Sequence, residues 1–300
     1  MGHHHHHHYD ASHHRAFALG VGLNVLFVVV ELAYGFLAGS LALIADAGHN
    51  LSDVLSLLLA WGAAWLAARP PTPRRSYGYR RATILASLSS AMLLLAALGA
   101  IAWEAVQRFQ QPEPVQGTVV VTVALVGVII NTATALLFAR GRKEDLNLRA
   151  AFLHMAADAA VSLGVVVGGA LILWTGWRWI DPALSLIIVV LIFIGTWGLL
   201  KESLALALDA VPEHIDPHRV EAYLRALPDV EDLHDLHIWA MSTTEVALTV
   251  HLTMARRSDN DVFLQDLSKA LAERFGIRHV TVQLEYDDPR NCRLSAPGSL

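Results

Sequence analysis

Two short motifs hold most of the chemistry in this sequence. His49-Asn50-Leu51-Ser52-Asp53 and His154-Met155-Ala156-Ala157-Asp158 both read His-x-x-x-Asp. On a helix, residues four apart share a face, so each motif presents an imidazole and a carboxylate side by side. Two such pairs facing one another supply two nitrogens and two carboxylate oxygens. That donor set suits Zn²⁺, which has no d-electron preference against tetrahedral geometry. Both motifs lie in long apolar segments, where an ionisable side chain costs about 2.5–3.5 kcal/mol even on the gentler scales. One isolated His or Asp there has a second reading, as a hydrogen-bonded packing residue. The same pair at matching depth in two apolar helices argues for a bound cation. A structural zinc staple uses the same donors; a carrier must also bind weakly enough to release.

The elements that position these pairs follow from composition. The 300 residues are 54% hydrophobic and only 16% charged, with a mean hydropathy of +0.44, too apolar for an ordinary soluble domain. A membrane helix needs about 20 mostly apolar residues. Six segments qualify: Ala16–Leu37, Leu41–Ala67, Thr83–Val106, Thr118–Ala139, Ala150–Thr175 and Pro182–Leu200. Arg69, Arg74, Arg75, Arg80 and Arg81 crowd the second loop, and Arg140, Arg142, Lys143 and Arg149 the fourth. The opposite loops carry only Arg108 and Arg178. The positive-inside rule then puts both basic loops and both termini in the cytoplasm of a multi-pass cell (inner) membrane protein. The expected organisation is a tag and tail over 1–15, a six-helix transmembrane domain over 16–200, a cytosolic domain over 201–290 and a terminal tail over 291–300. His3–His8 reads as a purification tag and is set aside. The lone Cys292 excludes an intramolecular disulfide framework and a Cys-rich zinc module.

Residues 201–300 hold 10 Lys+Arg against 17 Asp+Glu, a formal charge of −7. This acidic, soluble-looking tail has no basic surface for nucleic acid. Its periodicity reads α-β-β-α-β, a small α+β domain. Val220, Tyr223, Leu224 and Leu227 form one helical stripe, and Phe263, Leu267, Leu271 and Phe275 another. Strands are expected at Leu236–Met241, Val246–Leu252 and Val280–Tyr286. By strict alternation, His237, His251 and Glu285 share the face away from the helices.

Ser40-Leu-Ala-Leu-Ile-Ala-Asp-Ala-Gly-His-Asn-Leu-Ser-Asp53, the His154/Asp158 pair and His234-Asp-Leu-His237-Ile-Trp239 together resemble the cation diffusion facilitator family, in its bacterial ZitB/CzcD-like branch of zinc exporters. The resemblance runs from Ala16 to about Glu285. It implies a homodimer of six-helix protomers with a cytosolic metallochaperone-like domain, exporting zinc by alternating-access proton antiport. It implies a transport site of His49, Asp53, His154 and Asp158, and cytosolic ligands His234, His251 and Glu285, beside the His237 favoured by alternation. Asp261 and Cys292 are weaker cytosolic candidates. Arg81 and Asp209 occupy positions that resemble the family's interdomain charge pair. Two features of some members are missing here. Tyr79 stands where they have a metal-binding His, and the loop at 140–148 lacks a His-rich insertion. Asp46, one turn before His49, is placed to orient a ligand. Asn24, Glu31, Glu104 and Asn131 read as helix-packing or path-lining polar residues, and His13 and His14 as an unstructured terminus.

Zinc requires neutral imidazole and ionised carboxylate, so protons compete with metal at such a site, and imidazole titrates near physiological pH. The expected substrates are Zn²⁺ and protons, with Cd²⁺, Co²⁺ or Ni²⁺ as further metals and lipid as the surrounding solvent. Two alternatives compete. An intramembrane metal-dependent hydrolase needs an open water position and a general base, commonly His-Glu-x-x-His, which is absent. A membrane metal sensor would signal through the tail without transport.

Overall fold

The computed structural model describes residues 11–139, 146–256 and 260–286, apart from side chains at the starts of the first and fifth helices. Arg140, Arg142, Lys143 and Cys292, and the side chains of His13, His14 and Asn24, lie outside what is described. Six long helices come first: α1 (Ala11–Ala38), α2 (Leu41–Ala67), α3 (Ala82–Gln110), α4 (Gly117–Phe138), α5 (Leu146–Thr175) and α6 (Ile180–Ala207). Then follow α7 (Pro217–Arg225), β1 (Val230–Ala240), β2 (Val246–Met254), α8 (Asn260–Phe275) and β3 (Ile277–Glu285). Helices α2 to α6 each contain a stretch long and apolar enough to cross a membrane, and α1 adds a shorter apolar piece, Val25–Ala38, among the described residues. Trp61, Trp65, Trp103 and Trp174 project outward near helix ends, where amphipathic rings favour the headgroup level. The chain is a multi-pass membrane protein.

It divides into two compact units. One comprises the chain up to Leu57 with Met92–Thr196; the other comprises Leu58–Ala91 with the chain from Trp197 onward. In the first, Phe27, Leu43, Ala45, Leu98, Val120, Ala124, Val165 and Ile188 belong to one buried cluster. Lipid tails offer no hydrophobic drive between helices, so close approach at small residues does much of the work. A Cβ on Gly127 would sit 2.8 Å from Phe27 Cζ, and one on Gly169 2.9 Å from Val121 Cγ2. A tight turn at Gly39 (φ 67°) reverses the chain from α1 into α2.

The start of α2 is held from another helix. Asp181, at the head of α6 and 1% exposed, accepts from Ser40 Oγ at 2.5 Å, Leu41 N at 2.8 Å and Ala42 N at 3.4 Å. A carboxylate there satisfies amides that the first helical turn leaves unpaired and complements the positive end of the helix dipole. Glu104, expected to pack helices or line a path, instead pairs with Arg108 one turn on at 3.1 Å.

In the second unit a three-stranded sheet has the order β1-β2-β3, β1 antiparallel and β3 parallel to β2. A parallel neighbour requires a crossover, which α8 provides. Asp216 caps α7, accepting from the amides of His218 and Arg219, with Pro217 at the first helical position. Val220, Leu224, Leu248, Leu252, Leu267, Leu271 and Ile277 form the core beneath the sheet. The expected α-β-β-α-β order is present, with a longer first strand. In this unit Arg80 Nη1 meets Glu245 Oε2 at 2.6 Å, Arg81 pairs with Asp209, and Thr243 N donates to Thr83 Oγ1 at 3.1 Å.

Candidate metal centres

Helices α2 and α5 run antiparallel at their motifs, so each histidine lies across from the other helix's aspartate. His49 Nε2 is 3.5 Å from Asp158 Oδ1, and His154 Nε2 is 3.2 Å from Asp53 Oδ2. Within each helix, the His–Asp distance is 3.7 Å. The four residues thus close a ring. A tetrahedral zinc with ligands at about 2.0–2.1 Å has ligand–ligand edges of about 3.3–3.4 Å. The four His–Asp contacts, 3.2–3.7 Å, lie near that size, with Asp158 turning a different oxygen to each histidine. Asp53 Oδ2 and Asp158 Oδ2 are buried acceptors with no hydrogen-bond partner, and a cation would satisfy such oxygens. Exposure falls across the ring, from 46% for His154 and 34% for Asp53 to 3% for Asp158.

The ladder continues along both helices. Asp46, three residues before His49, accepts from Ser162 Oγ at 2.8 Å, and Ser162 lies four residues after Asp158. Asp46 therefore contacts α5 rather than holding a ligand histidine by a hydrogen bond.

The cytoplasmic-type domain gathers a second donor set. His234, His251 and Glu285 each offer an atom within 4.8 Å of the other two. His251 Nδ1 is 3.1 Å from Glu285 Oε1, and His234 Nε2 is 3.4 Å from Glu285 Oε2. Both ring nitrogens of His234 are buried without a hydrogen-bond partner. Two imidazoles and a carboxylate, one with unpaired donors, fit a zinc ion.

Strict alternation had put His237 with His251 and Glu285, and the backbone shows why the structure puts His234 there instead. His234 pairs with His251 in the ladder, whereas His237 pairs with Thr249. Two residues on β1, Asp235 and Leu236, oppose the single Val250 on β2, a bulge, and Asp235 within it has φ 52°. One extra residue reverses the face of everything beyond it. His237 turns to Asp235 Oδ1 at 2.9 Å, while Asp235 Oδ2 lies 3.6 Å from His251 Nε2. Asp235 is thus a neighbour of the cluster that sequence reasoning missed; Asp at an irregular strand position is the only signal it left. Asp261 lies exposed in the first turn of α8. Just outside the cluster, Arg225 holds Asp232 at 2.8 Å and pulls its carboxyl below the usual carboxylate range.

Six apolar helices, a ring of metal-type donors between two of them and an appended α+β domain define a membrane carrier of cations. Family models agree across the chain: one described as the cation efflux transmembrane domain matches residues 18–206, and one described as the cation efflux protein, cytoplasmic domain, matches residues 212–287. The chain belongs to the cation efflux, or cation diffusion facilitator, family. It is 36% identical to the zinc transporter ZitB of Escherichia coli over 95% of this chain and 91% of that protein. It is 36% identical to the metal cation efflux system protein CzcD of Cupriavidus metallidurans, over 95% and 90%. A Bacillus subtilis protein named as a cadmium, cobalt and zinc/H(+)-K(+) antiporter is 34% identical over 86% and 85%. These relatives are transporters, not enzymes, so the hydrolase alternative falls away.

Proposed function

We propose that this protein exports Zn²⁺ from the cytoplasm in exchange for protons, by alternating access at a site made of His49, Asp53, His154 and Asp158. The observation that carries the reading is the closed ring of two imidazoles and two carboxylates at 3.2–3.7 Å between α2 and α5. The names of the zinc-transporting and antiporting relatives support zinc and protons as the exchanged ions, with Cd²⁺ and Co²⁺, and by the same donor chemistry Ni²⁺, as further substrates.

Exchange follows from competition. Zinc needs both carboxylates ionised and both imidazoles neutral, so protons arriving from one side displace an ion loaded from the other. Carriers bind near the bilayer midplane and rock around the site. With both termini cytoplasmic in the inner membrane, Asp53 and His154 are the cytoplasmic members of the ring. Their greater exposure, 34% and 46%, fits loading from that side. His234, His251 and Glu285 serve as a regulatory zinc site in a homodimer. Each tail is acidic, and a bound divalent cation offsets repulsion between two of them. Arg81 and Asp209 couple the basic loop to the tail.

Proteoliposomes test this. An outwardly acidic pH gradient should drive zinc out of the compartment facing the tail, with proton movement in the opposite direction. Zinc binding without flux would favour a sensor instead.

A further inference from the structure

The loop from α2 to α3 carries more positive charge than its own unit neutralises. Between Asp53 and Glu104 the sequence has five arginines, Arg69, Arg74, Arg75, Arg80 and Arg81, and no acidic residue. Two of them find carboxylates in the tail: Arg80 meets Glu245 at 2.6 Å, and Arg81 pairs with Asp209. Beside them Tyr77 packs edge-on against His279 of β3, with ring centroids 5.4 Å apart. The later half of the loop therefore grips the tail. The earlier half does not. Among the described residues no carboxylate lies within ion-pair distance of Arg69, Arg74 or Arg75, and all three are exposed.

A folded loop presents these three arginines. Thr72 and Arg75 exchange both backbone hydrogen bonds, at 3.1 and 2.9 Å, around Pro73-Arg74. Arg74 thus stands at the tip of a closed turn, after a proline whose fixed φ suits the first central position. Gly78 (φ 68°) turns the chain back until a Cβ there would lie 3.3 Å from the carbonyl oxygen of Arg69. Aromatic rings hold two of the guanidinium groups. Arg69 Cζ lies 4.1 Å from the ring centre of Trp65, one helical turn earlier. Arg75 Cζ lies 4.6 Å from that of Tyr79, and Arg75 Nη1 donates to the Tyr79 hydroxyl at 2.9 Å. A guanidinium has five N–H groups, so each keeps donors for further oxygens. Trp65 is itself exposed near the end of α2, where an indole favours the headgroup level.

We infer that Arg69, Arg74 and Arg75 form a docking surface for the phosphate of an anionic phospholipid headgroup. The loop joins two helices that each cross the membrane, so its free cations border the headgroup layer. Phosphate oxygens match the planar fork of guanidinium donors, and charges without a partner in the protein draw anions from the nearest layer that holds them. One half of the loop then holds the tail and the other holds the membrane surface. The surface does not depend on which ion the protein carries or in which direction.

The full-length protein tests this in detergent, mixed with equal amounts of phosphatidylglycerol and phosphatidylcholine bearing the same chains. Native mass spectrometry counts the lipids retained. Wild type should keep phosphatidylglycerol in preference. A basic residue beside an anionic surface is worth about fivefold in binding, so Arg74→Gln/Arg75→Gln should lose roughly twentyfold of that preference. Arg74→Lys/Arg75→Lys should keep most of it, and so should Arg80→Gln, whose guanidinium already has a carboxylate. Unchanged zinc binding shows that each variant is folded. Millimolar inorganic phosphate should leave the lipid in place. Equal retention of the two lipids by wild type, or a wild-type preference in Arg74→Gln/Arg75→Gln, would overturn the proposal. An equal loss in Arg80→Gln would trace the effect to net charge, and displacement by inorganic phosphate would mark a soluble-anion site; either result also overturns it.

Discussion

Removing Asp181 should loosen the start of α2 and with it the placement of His49 and Asp53. The carboxylate makes two good hydrogen bonds, to Ser40 Oγ at 2.5 Å and Leu41 N at 2.8 Å, and a long one to Ala42 N at 3.4 Å. Hydrogen bonds to a charged group contribute about 1.5–3 kcal/mol each, and an orphaned buried donor costs about 1–3 kcal/mol. Taking the long contact as negligible, Asp181→Ala should cost about 3–5 kcal/mol. Asp181→Asn keeps one acceptor oxygen for the Leu41 amide and loses the charge; about 1–2 kcal/mol is expected. Ser40→Ala removes one partner, and its effect should not add to that of Asp181→Asn, because the two residues share a bond. His49 lies eight residues beyond Leu41, about 12 Å along the helix axis, so loosened capping should weaken zinc binding without removing a ligand. Unfolding in mild detergent gives the stability order, and zinc titration the functional one. An Asp181→Ala protein within about 1 kcal/mol of wild type would mean that the buried carboxylate does not hold α2.

In a background lacking Asp53 and Asp158, His234→Ala or His251→Ala should abolish zinc binding by the tail while His237→Ala leaves it largely intact; equal losses for all three would contradict the bulge. Arg81 and Asp209 are each about half exposed, so their coupling should be at most about 1 kcal/mol, and double charge reversal should recover flux lost in either single reversal. Arg225 lowers the Asp232 carboxyl, so their small stabilisation should be present above the ordinary carboxylate range and vanish as pH falls through the depressed value. Arg225→Ala should return that carboxyl to ordinary titration, readable by NMR; no change would exclude the pair as its cause.

Periodicity made most of the architecture readable. Leu41–Ala67 was bounded by Gly39-Ser40 on one side and Arg69-Pro70 on the other, and the helix has those ends. The two His-x-x-x-Asp motifs were legible because the helical repeat places i and i+4 together whatever surrounds them. What depended on distant partners was not. Nothing near Asp181 in sequence reveals that it caps a helix 140 residues earlier, and Arg80–Glu245 spans 165 residues. The bulge at Asp235 was hidden for a different reason: alternation assumes an unbroken ladder, and a left-handed Asp leaves no break in the hydrophobic pattern. Glu31 was visible as a polar residue in an apolar span, but its complete burial needed the packing of the other helices.

The measurement closest to the central claim compares two variants in the same proteoliposomes. One is Asp53→Ala/Asp158→Ala, which removes both ring carboxylates; the other is His251→Ala/Glu285→Ala, which dismantles the tail cluster. With equal amounts of folded protein reconstituted, the first should bring zinc flux to the protein-free background. The second should still transport, needing more zinc on the tail side to reach its maximum and losing that maximum only in part. Wild-type flux from the first variant would contradict the assignment of the ring as the path of the ion.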